Sequence, residues 1–213
     1  MTVDAVAAVV AGALFGYLIG SISPGLLIGR LYGVDVRDFG SGKTGFTNTL
    51  RSVGVLPAIV VITADILKGT AAVLVGSQLL DEPWAAALGG IAVVAGHNWP
   101  LFTGFRGGRG VATAFGAFMA IDPVAGMLVL AASTLILAAT RYMSLVSVTA
   151  VLAGAIILVV RALSDVVPME YIAFGVVVAT TIEVSHIGNI RRLTAGEEPK
   201  LGQGGSRRQQ SET

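Results

Sequence analysis

The sequence predicts an all-α fold, a polytopic membrane helix bundle with about seven transmembrane segments, roughly five long and two short. Three observations carry this prediction. Apolar residues make up 54% and charged residues only 13% of the 213 residues, and the mean hydropathy is +0.80. These values are outside the range of ordinary soluble domains. The apolar residues fall in long runs, and the charges lie mostly at the ends of those runs.

The first predicted span covers residues 3–31 and contains Pro24 near its end. Its glycines recur along the run: Gly12, Gly16, Gly20, Gly25 and Gly29. Small residues at this spacing allow two membrane helices to approach closely, so we expect this face to pack against another helix. No positively charged stretch precedes the run, which argues against a secretory signal peptide.

The second predicted span, 53–80, carries two ionisable residues, Asp65 and Lys68. They are three residues apart and therefore share one face of a helix. An ionisable group at mid-membrane costs roughly 2.5–3.5 kcal/mol on insertion scales, so we expect both to face the bundle interior. An ion pair between them and a ligand-binding role are equally open interpretations.

Two shorter apolar segments and three long spans complete the pattern: 85–96, 111–121, 123–140, 144–160 and 168–190. Together the segments predict a single membrane-embedded domain over residues 1–201. The tail, 202–213, is composed mainly of glycine, serine, glutamine and arginine, and this composition predicts a disordered cytoplasmic end.

Cysteine is absent from the chain, which excludes disulfides and thiolate metal sites. Two histidines with few carboxylates near them in sequence also make a poor metal site. The sequence therefore predicts no metal. The net charge of +1 gives no indication of a nucleic-acid partner, and none is predicted.

Cations are distributed unevenly between the predicted loops. If all seven segments cross the membrane, the odd-numbered loops and the C-terminal end hold nearly all of them: Arg30, Arg37, Lys43, Arg51, Arg106, Arg109, Arg141, Arg191, Arg192, Lys200, Arg207 and Arg208. The even-numbered loops hold only Arg161. Because cytoplasmic loops carry the excess of lysine and arginine, the N-terminus is predicted outside and the C-terminus in the cytoplasm.

A polar loop at 39–51, the first loop, interrupts the apolar sequence. It offers several glycines, hydroxyl and amide side chains, and the cations Lys43 and Arg51. Glycines let backbone amides approach a ligand closely, so this composition favours a phosphate-like anion. A nucleotide P-loop is a poor interpretation, since that motif needs a glycine where Arg37 stands. A glycine-rich turn is the simpler alternative, but it does not explain the clustering of polar side chains.

Two further polar segments are predicted on the same cytoplasmic face as the first loop. The second loop, 96–110, ends in Gly107-Gly108-Arg109-Gly110, whose amides precede an apolar helix and suit a second anion site. The third segment, 185–200, contains His186, one of the two histidines of the protein. A cationic pocket at this level of the bilayer suits a phosphorylated water-soluble ligand that meets a lipid-soluble one.

The three polar segments together resemble the bacterial acyl-phosphate:glycerol-3-phosphate acyltransferase family in order and spacing. The first loop is similar to the family pattern G-S-G-N-x-G-A-T-N-x-x-R, and the second to G-H-x-x-P-x-F-x-x-F-x-G-G-K-G-V-A-T. The third is similar to H-x-x-N-I-x-R-L-x-x-G-x-E-P-K. Three positions depart from these patterns: Lys43 replaces asparagine, Phe46 replaces alanine, and Arg109 replaces lysine.

The resemblance implies a bacterial multi-pass enzyme of the inner (plasma) membrane, with its active site at the cytoplasmic face. Its substrates would be glycerol 3-phosphate and an acyl phosphate within membrane lipids. The products would be lysophosphatidic acid (1-acyl-glycerol 3-phosphate) and phosphate, in the first step of phospholipid synthesis. The family needs no acyl-CoA, acyl carrier protein or metal, so no cofactor is expected. The sequence does not predict an oligomeric state.

Residue chemistry and the resemblance together nominate three groups of site residues. The expected catalytic residues are Ser41, His186 and Asn189. The expected substrate-phosphate ligands are Gly40, Gly42, Lys43, Thr47, Asn48, Arg51, His97, Gly107, Gly108, Arg109 and Gly110. The expected structural or supporting residues are Asp65, Lys68, Ser144 and Glu198.

Several mechanistic alternatives stay open at this point. His186 is either the general base or a hydrogen-bonding group, in which case the donor phosphate accepts the proton. Ser41 is expected to hold the donor phosphate; a role as acylated nucleophile is less favoured, because no histidine or aspartate adjoins it in sequence. At the level of function, the rivals are an organic-phosphate transporter and an inactive paralogue that binds lipid phosphate. The departures at Lys43 and Phe46 keep the paralogue in consideration.

Overall fold

The computed structural model describes residues 2–207, and within that range the secondary structure is almost entirely helical. Nine α-helices follow one another in these residues: α1 Val3–Gly20, α2 Pro24–Leu31, α3 Phe46–Ser52, α4 Val55–Leu74, α5 Pro83–Asn98, α6 Val111–Ile121, α7 Pro123–Thr140, α8 Met143–Leu163 and α9 Glu170–Thr194. The all-α membrane bundle predicted from the sequence is confirmed.

Six stretches of the described residues are long and apolar enough to cross a membrane: Val3–Leu31, Val55–Gln78, Pro83–Thr103, Pro123–Thr140, Met143–Leu163 and Glu170–Thr194. One shorter apolar helix, α6, lies between them. The sequence predicted two short segments, and the difference arises at α5. Pro83 stands at the first position of that helix, and His97 and Asn98 extend its other end, so α5 is longer than its apolar run.

Helix α1 packs against α5 along its predicted glycine face. The positions of Gly12, Gly16 and Gly20 leave no room for a β-carbon, because each lies directly on the α5 backbone. Their neighbours advance by the same four residues, from Ala85 through Gly89 to Val93. The two helices are therefore parallel, and their C-terminal ends lie on the same side of the bundle.

The predicted first span is broken between α1 and α2. Ser21 Oγ donates to Tyr17 O within α1 and accepts from the Leu101 amide. The second of these hydrogen bonds connects the break to the segment after α5. From α4, Lys68 Nζ donates to the carbonyl of Ile22 at 3.0 Å, and to that of Gly20 at 3.3 Å. Carbonyls left without a helical partner inside a membrane need such a donor.

The remaining helices pack around the short helix α6. Gly69 of α4 and Gly116 of α6 lie directly on each other's helices, again with no space for a β-carbon. Phe118 of α6 meets Phe174 of α9 edge to face, with ring centroids 4.9 Å apart. These contacts place α6 at the centre of the bundle, where its first turn faces the polar loops.

The C-terminal segment 197–207 returns across the first loop. Ser206 O accepts a hydrogen bond from the Gly40 amide at 3.1 Å, and Phe39 pairs with Arg207 in a single antiparallel bridge. The sequence predicted a disordered tail from residue 202, and the structure instead gives residues 202–207 a defined place. The rest of that predicted tail, 208–213, lies outside the described residues.

Candidate active site

A cavity of about 710 Å³ opens among the first loop, the second loop and the third polar segment. It collects most of the predicted site residues: Gly40, Ser41, Lys43, Thr47, Asn48, Arg51, Asp65, His97, Arg109, Gly110, Ser144, His186, Asn189 and Glu198. Gly42, Lys68, Gly107 and Gly108 lie behind this lining. Segments far apart in sequence therefore meet at one site.

Three consecutive amide groups of the first loop, those of Gly40, Ser41 and Gly42, donate to other groups of the protein. Gly40 donates to Ser206 O, the Ser41 amide donates to Asn48 Oδ1, and Gly42 donates to Phe39 O. We expected these amides to bind phosphate, and in this structure their hydrogen bonds hold the loop in shape. Gly40 and Gly42 also have positive φ, of 48° and 68°, which explains why glycine stands there.

Asn48 is the side chain that organises this loop. Its Nδ2 donates to Val36 O at 2.6 Å and to Lys43 O at 2.8 Å, while its Oδ1 accepts from Ser41. The residue is buried, and its amide hydrogens are both used by backbone carbonyls. Asn48 therefore positions Ser41 at the cavity wall, which is a different task from the phosphate contact predicted for it.

Two arginines are held at the polar end with unmet hydrogen-bonding capacity. Within residues 2–207, Arg51 Nε and Arg109 Nε are buried and have no hydrogen-bond partner. Burial lowers the pKa of both guanidinium groups. The negative charge of Glu198 raises the pKa of each arginine, and the positive charge of Arg192 lowers it further. Arginine stays charged at such pKa values. Two half-buried arginines, each with an Nε that has no hydrogen-bond partner, are suited to bind a phosphate.

The second loop is pressed against the end of α5. The Gly108 amide donates to His97 O, and the His97 ring occupies the space that a β-carbon on Gly108 would need. A β-carbon on Gly107 would likewise strike His97 O. Gly107 and Gly108 thus allow the loop to pack closely against α5, which places the next residue, Arg109, at the cavity. The two glycines do not line the cavity themselves.

His97 belongs to a buried cluster of charged residues, the charge cluster, with Asp65 and Lys68. Asp65 Oδ1 is 2.8 Å from Lys68 Nζ and 3.2 Å from His97 Nδ1. Asp65 is only 1% exposed and Lys68 6%. Asp65 and Lys68 form an ion pair in the structure, and Asp65 also lines the cavity. Because Lys68 also binds the break between α1 and α2, the cluster ties that break to the second loop.

The third polar segment presents His186 and Asn189 from successive turns of α9. His186 Nδ1 is 2.8 Å from Ile182 O, and a carbonyl can only accept, so Nδ1 carries the proton. The other nitrogen, Nε2, is then an acceptor in a ring that lines the cavity. Asn189 Nδ2 donates to Glu198 Oε1 at 2.6 Å, which leaves the Asn189 carbonyl oxygen as the remaining acceptor.

Glu198 holds two side chains of α9 at once. Its second oxygen, Oε2, accepts from Arg192 Nε at 2.8 Å. Arg192 also lines the cavity, and it was missing from the predicted site residues. A signal was present, because Arg192 lies three residues after Asn189 and six after His186, on the same face of α9. Glu198 itself belongs to the C-terminal segment 197–207.

The cavity changes from polar to apolar along the helices. Helices α6 and α8 begin near the polar loops. Beyond those loops the lining is mostly apolar, with the hydroxyls of Ser133, Thr134 and Ser147 among the apolar residues. The apolar lining residues are Ile62, Ile66, Phe115, Phe118, Val129, Leu130, Leu137, Val146, Val151 and Ile182. At 1.5 Å per residue, Phe118 lies about 10 Å beyond Val111 along α6. Within residues 55–140, no close packing joins α4 to α7, although both border the cavity. The apolar end thus lies between two helices that stand apart.

Helices around a cavity that is cationic at one end and apolar at the other define a class: integral membrane proteins that handle an amphiphile bearing a phosphate. Comparison with known proteins then identifies the family. A family model described as glycerol-3-phosphate acyltransferase matches residues 10–196. The chain belongs to the glycerol-3-phosphate acyltransferase family and is a multi-pass membrane acyltransferase.

Curated relatives agree over nearly the whole chain. The glycerol-3-phosphate acyltransferase of Halalkalibacterium halodurans is 44% identical over 191 residues, which cover 87% of this chain and 92% of the relative. That of Synechococcus elongatus is 42% identical over 204 residues, covering 92% and 95%.

Two crystal structures of PlsY (YgiH), an integral membrane glycerol 3-phosphate acyltransferase, share the fold. The glycerol 3-phosphate form has a TM-score of 0.84 at 34% identity and covers 91% of this chain and 96% of its own. The lysophosphatidic acid form has a TM-score of 0.81 at 32% identity, with coverage of 90% and 94%. The family resemblance predicted from the three polar segments is confirmed.

Proposed function

We propose that this protein transfers an acyl group from an acyl phosphate to the 1-hydroxyl of glycerol 3-phosphate. The products are lysophosphatidic acid and phosphate. The observation that carries the proposal is the single cavity with buried arginine donors at its polar end and apolar walls beyond them. Such a cavity suits a reaction between a water-soluble phosphate ester and a lipid-soluble mixed anhydride. The family assignment favours this enzyme over an organic-phosphate transporter.

At the polar end, Arg51 and Arg109 bind the substrate phosphates. Their spare N–H groups point into a site where two phosphorylated molecules must come together, and fixed cations there relieve the repulsion between them. Ser41, presented by Asn48, donates its hydroxyl to the donor phosphate. This division of roles assigns the positioning work to Asn48 and the ligand contacts to Ser41 and the arginines.

At the reacting centre, His186 Nε2 accepts the hydrogen bond of the attacking hydroxyl. Asn189 supports the same substrate through its carbonyl oxygen, since its amide nitrogen donates to Glu198 and the carbonyl oxygen is its only acceptor. The hydroxyl oxygen attacks the acyl carbon, the bond from that carbon to the phosphate oxygen breaks, and the hydroxyl proton passes to His186 Nε2 or to the departing phosphate. Phosphate is a good leaving group, so the protein needs chiefly to position the reactants and stabilise the developing negative charge.

The acyl chain occupies the apolar end of the cavity. The separation of α4 and α7 supports entry of the chain sideways from the bilayer, so that the donor need not pass through water. We further propose that the protein resides in the bacterial inner membrane with the polar end facing the cytoplasm. The distribution of Lys and Arg supports that orientation, because the polar loops carry nearly all of them.

The test of the reaction is acyl transfer from palmitoyl phosphate to glycerol 3-phosphate by purified protein in detergent. We expect Arg51→Ala to lower kcat/KM by about 10- to 100-fold, the range for removing a hydrogen bond to a charged group. Arg191→Ala is the matched control, since Arg191 is exposed and does not line the cavity. Absence of product from the unaltered protein would favour the inactive paralogue. Equal loss in both variants would remove Arg51 from the site.

A further inference from the structure

A second, smaller cavity lies beside α2. We call it the α2 groove; its volume is about 240 Å³. Its walls come from one face of α2 and the short turn after α5: Ser23, Leu26, Leu27, Arg30, Phe102 and Thr103. The α2 positions are spaced by three, one and three residues, which places them along one side of the helix. None of these residues lines the larger cavity.

The inner part of the groove holds two hydroxyl groups without partners. Within the described chain, Ser23 Oγ and Thr103 Oγ1 are buried and make no hydrogen bond. Ser23 is 7% exposed and stands at the N-cap of α2, yet its side chain does not cap the helix. A buried hydroxyl without a partner is unfavourable, because the hydrogen bonds that it made to water in the unfolded chain are not replaced. Two such hydroxyls lining the same cavity indicate a ligand that offers oxygen acceptors.

The outer part of the groove carries a cation. Arg30 is exposed, and its guanidinium makes no hydrogen bond or ion pair among residues 2–207. The acidic side chain nearest in sequence, Asp35, is already engaged by Arg37 through contacts of 2.7–3.2 Å. Arg30 lies seven residues beyond Ser23, so about 10 Å of helix separates the charge from the inner hydroxyl. The groove thus has a cationic mouth and a hydroxyl-bearing interior.

Apolar side chains surround these polar groups and continue onto the lipid-facing surface. Leu27 and Phe102 are 53% and 63% exposed, and both border the groove. Helix α2 belongs to the first candidate span, Val3–Leu31, and Arg30 lies at its polar end. An arginine at the end of a membrane span lies at the level of the lipid headgroups. By volume the groove holds roughly eight water molecules, which is enough for a phosphoglycerol headgroup and too little for acyl chains.

We propose that the α2 groove binds an anionic phospholipid of the surrounding bilayer. The lipid phosphate pairs with Arg30, and the hydroxyls of Ser23 and Thr103 donate to the oxygens of the glycerol backbone. The acyl chains lie outside the groove against Leu27 and Phe102. This site is separate from the cavity assigned to the reaction, so its test does not depend on the proposed function.

The chain provides its own reporter for this site. It has two tryptophans, Trp84 and Trp99, and Trp99 comes just before the turn that forms one wall of the groove. In a Trp84→Phe background, Trp99 fluorescence is measured in phosphatidylcholine nanodiscs. These contain a small, equal fraction of dibrominated phosphatidylglycerol or dibrominated phosphatidylcholine. We expect the brominated anionic lipid to quench Trp99 at least twofold more strongly, and unlabelled phosphatidylglycerol to reverse the difference.

Variants separate specific binding from general attraction to charge. Arg30→Gln should weaken the anionic lipid roughly fivefold, the effect of about one cation near a membrane surface. Ser23→Ala should also reduce the preference. Arg191→Gln, which removes an exposed cation outside the groove, should leave it unchanged. An unchanged midpoint of thermal unfolding and an unchanged size-exclusion profile verify that each variant is folded.

Three outcomes would overturn the proposal. The first is equal quenching by the two brominated lipids. The second is an equal loss of preference in Arg30→Gln and Arg191→Gln. The third is displacement of the brominated lipid by inorganic phosphate alone, which would mean that the groove binds a free anion and no lipid.

Discussion

Glu198 offers the sharpest test of how the third polar segment is organised. In Glu198→Gln, the side chain keeps its length and loses one acceptor oxygen to an NH₂ group. That NH₂ must face either Asn189 Nδ2 or Arg192 Nε, both of which are donors now bound at 2.6 and 2.8 Å. One hydrogen bond to a charged acceptor is lost, which is worth about 1.5–3 kcal/mol. If Asn189 turns as a result, its carbonyl oxygen no longer supports the substrate.

The expected result is a fall in kcat/KM of about 10- to 150-fold, which is the ratio that corresponds to a loss of about 1.5–3 kcal/mol. The assay is transfer of palmitoyl groups to labelled glycerol 3-phosphate, with the thermal unfolding of each purified variant measured in parallel. Glu197→Gln is the matched control, because the neighbouring side chain is exposed and lies outside the cavity. A kcat/KM for Glu198→Gln within twofold of the unaltered protein would refute the reasoning, as would an equal loss in the control.

Two further predictions concern the charge cluster and the orientation of the bundle. Lys68→Met leaves the buried Asp65 with His97 as its one remaining partner in the charge cluster. Thermal unfolding of this variant in detergent should show a loss of about 3 kcal/mol, the low end of the range for removing one partner of a buried pair. A double variant that adds Asp65→Asn should recover part of that loss, and a double variant no more stable than the single one would contradict the pairing. Because the chain has no cysteine, single cysteines report sidedness. In intact cells we expect an impermeant thiol reagent to label Ser164→Cys and to spare Ala195→Cys, and the reverse pattern would invert the proposed orientation.

Much of the fold could be predicted from the sequence, because the bilayer restricts which structures can cross it and where charges can lie. Apolar runs must become helices there, and cations must lie at their ends, so the membrane spans could be predicted directly. The glycine spacing in α1 also predicted its close packing. The break after Gly20 was not predicted, because the donor that makes it tolerable, Lys68, comes from a helix almost fifty residues later in the chain.

For the site residues too, the sequence predicted some features and missed others. Composition indicated which loops carry positive charge, and the cavity gathers Arg51 and Arg109 as expected. Composition did not indicate which polar groups are already occupied. Asn48 and the glycines of the first loop have the right chemistry for an anion, but they are committed to internal hydrogen bonds. Such commitments depend on three-dimensional neighbours, and in the case of Gly40 the neighbour is Ser206 at the far end of the chain.

That last contact sets an order of events during biosynthesis. Gly40 leaves the ribosome well before its hydrogen-bond acceptor, Ser206, is synthesised. A nascent chain can therefore insert all nine helices described above and still lack one hydrogen bond of the first loop. The loop reaches the arrangement seen here only after residue 206 has been made, so a chain terminated before Ser206 would carry the first loop without this support.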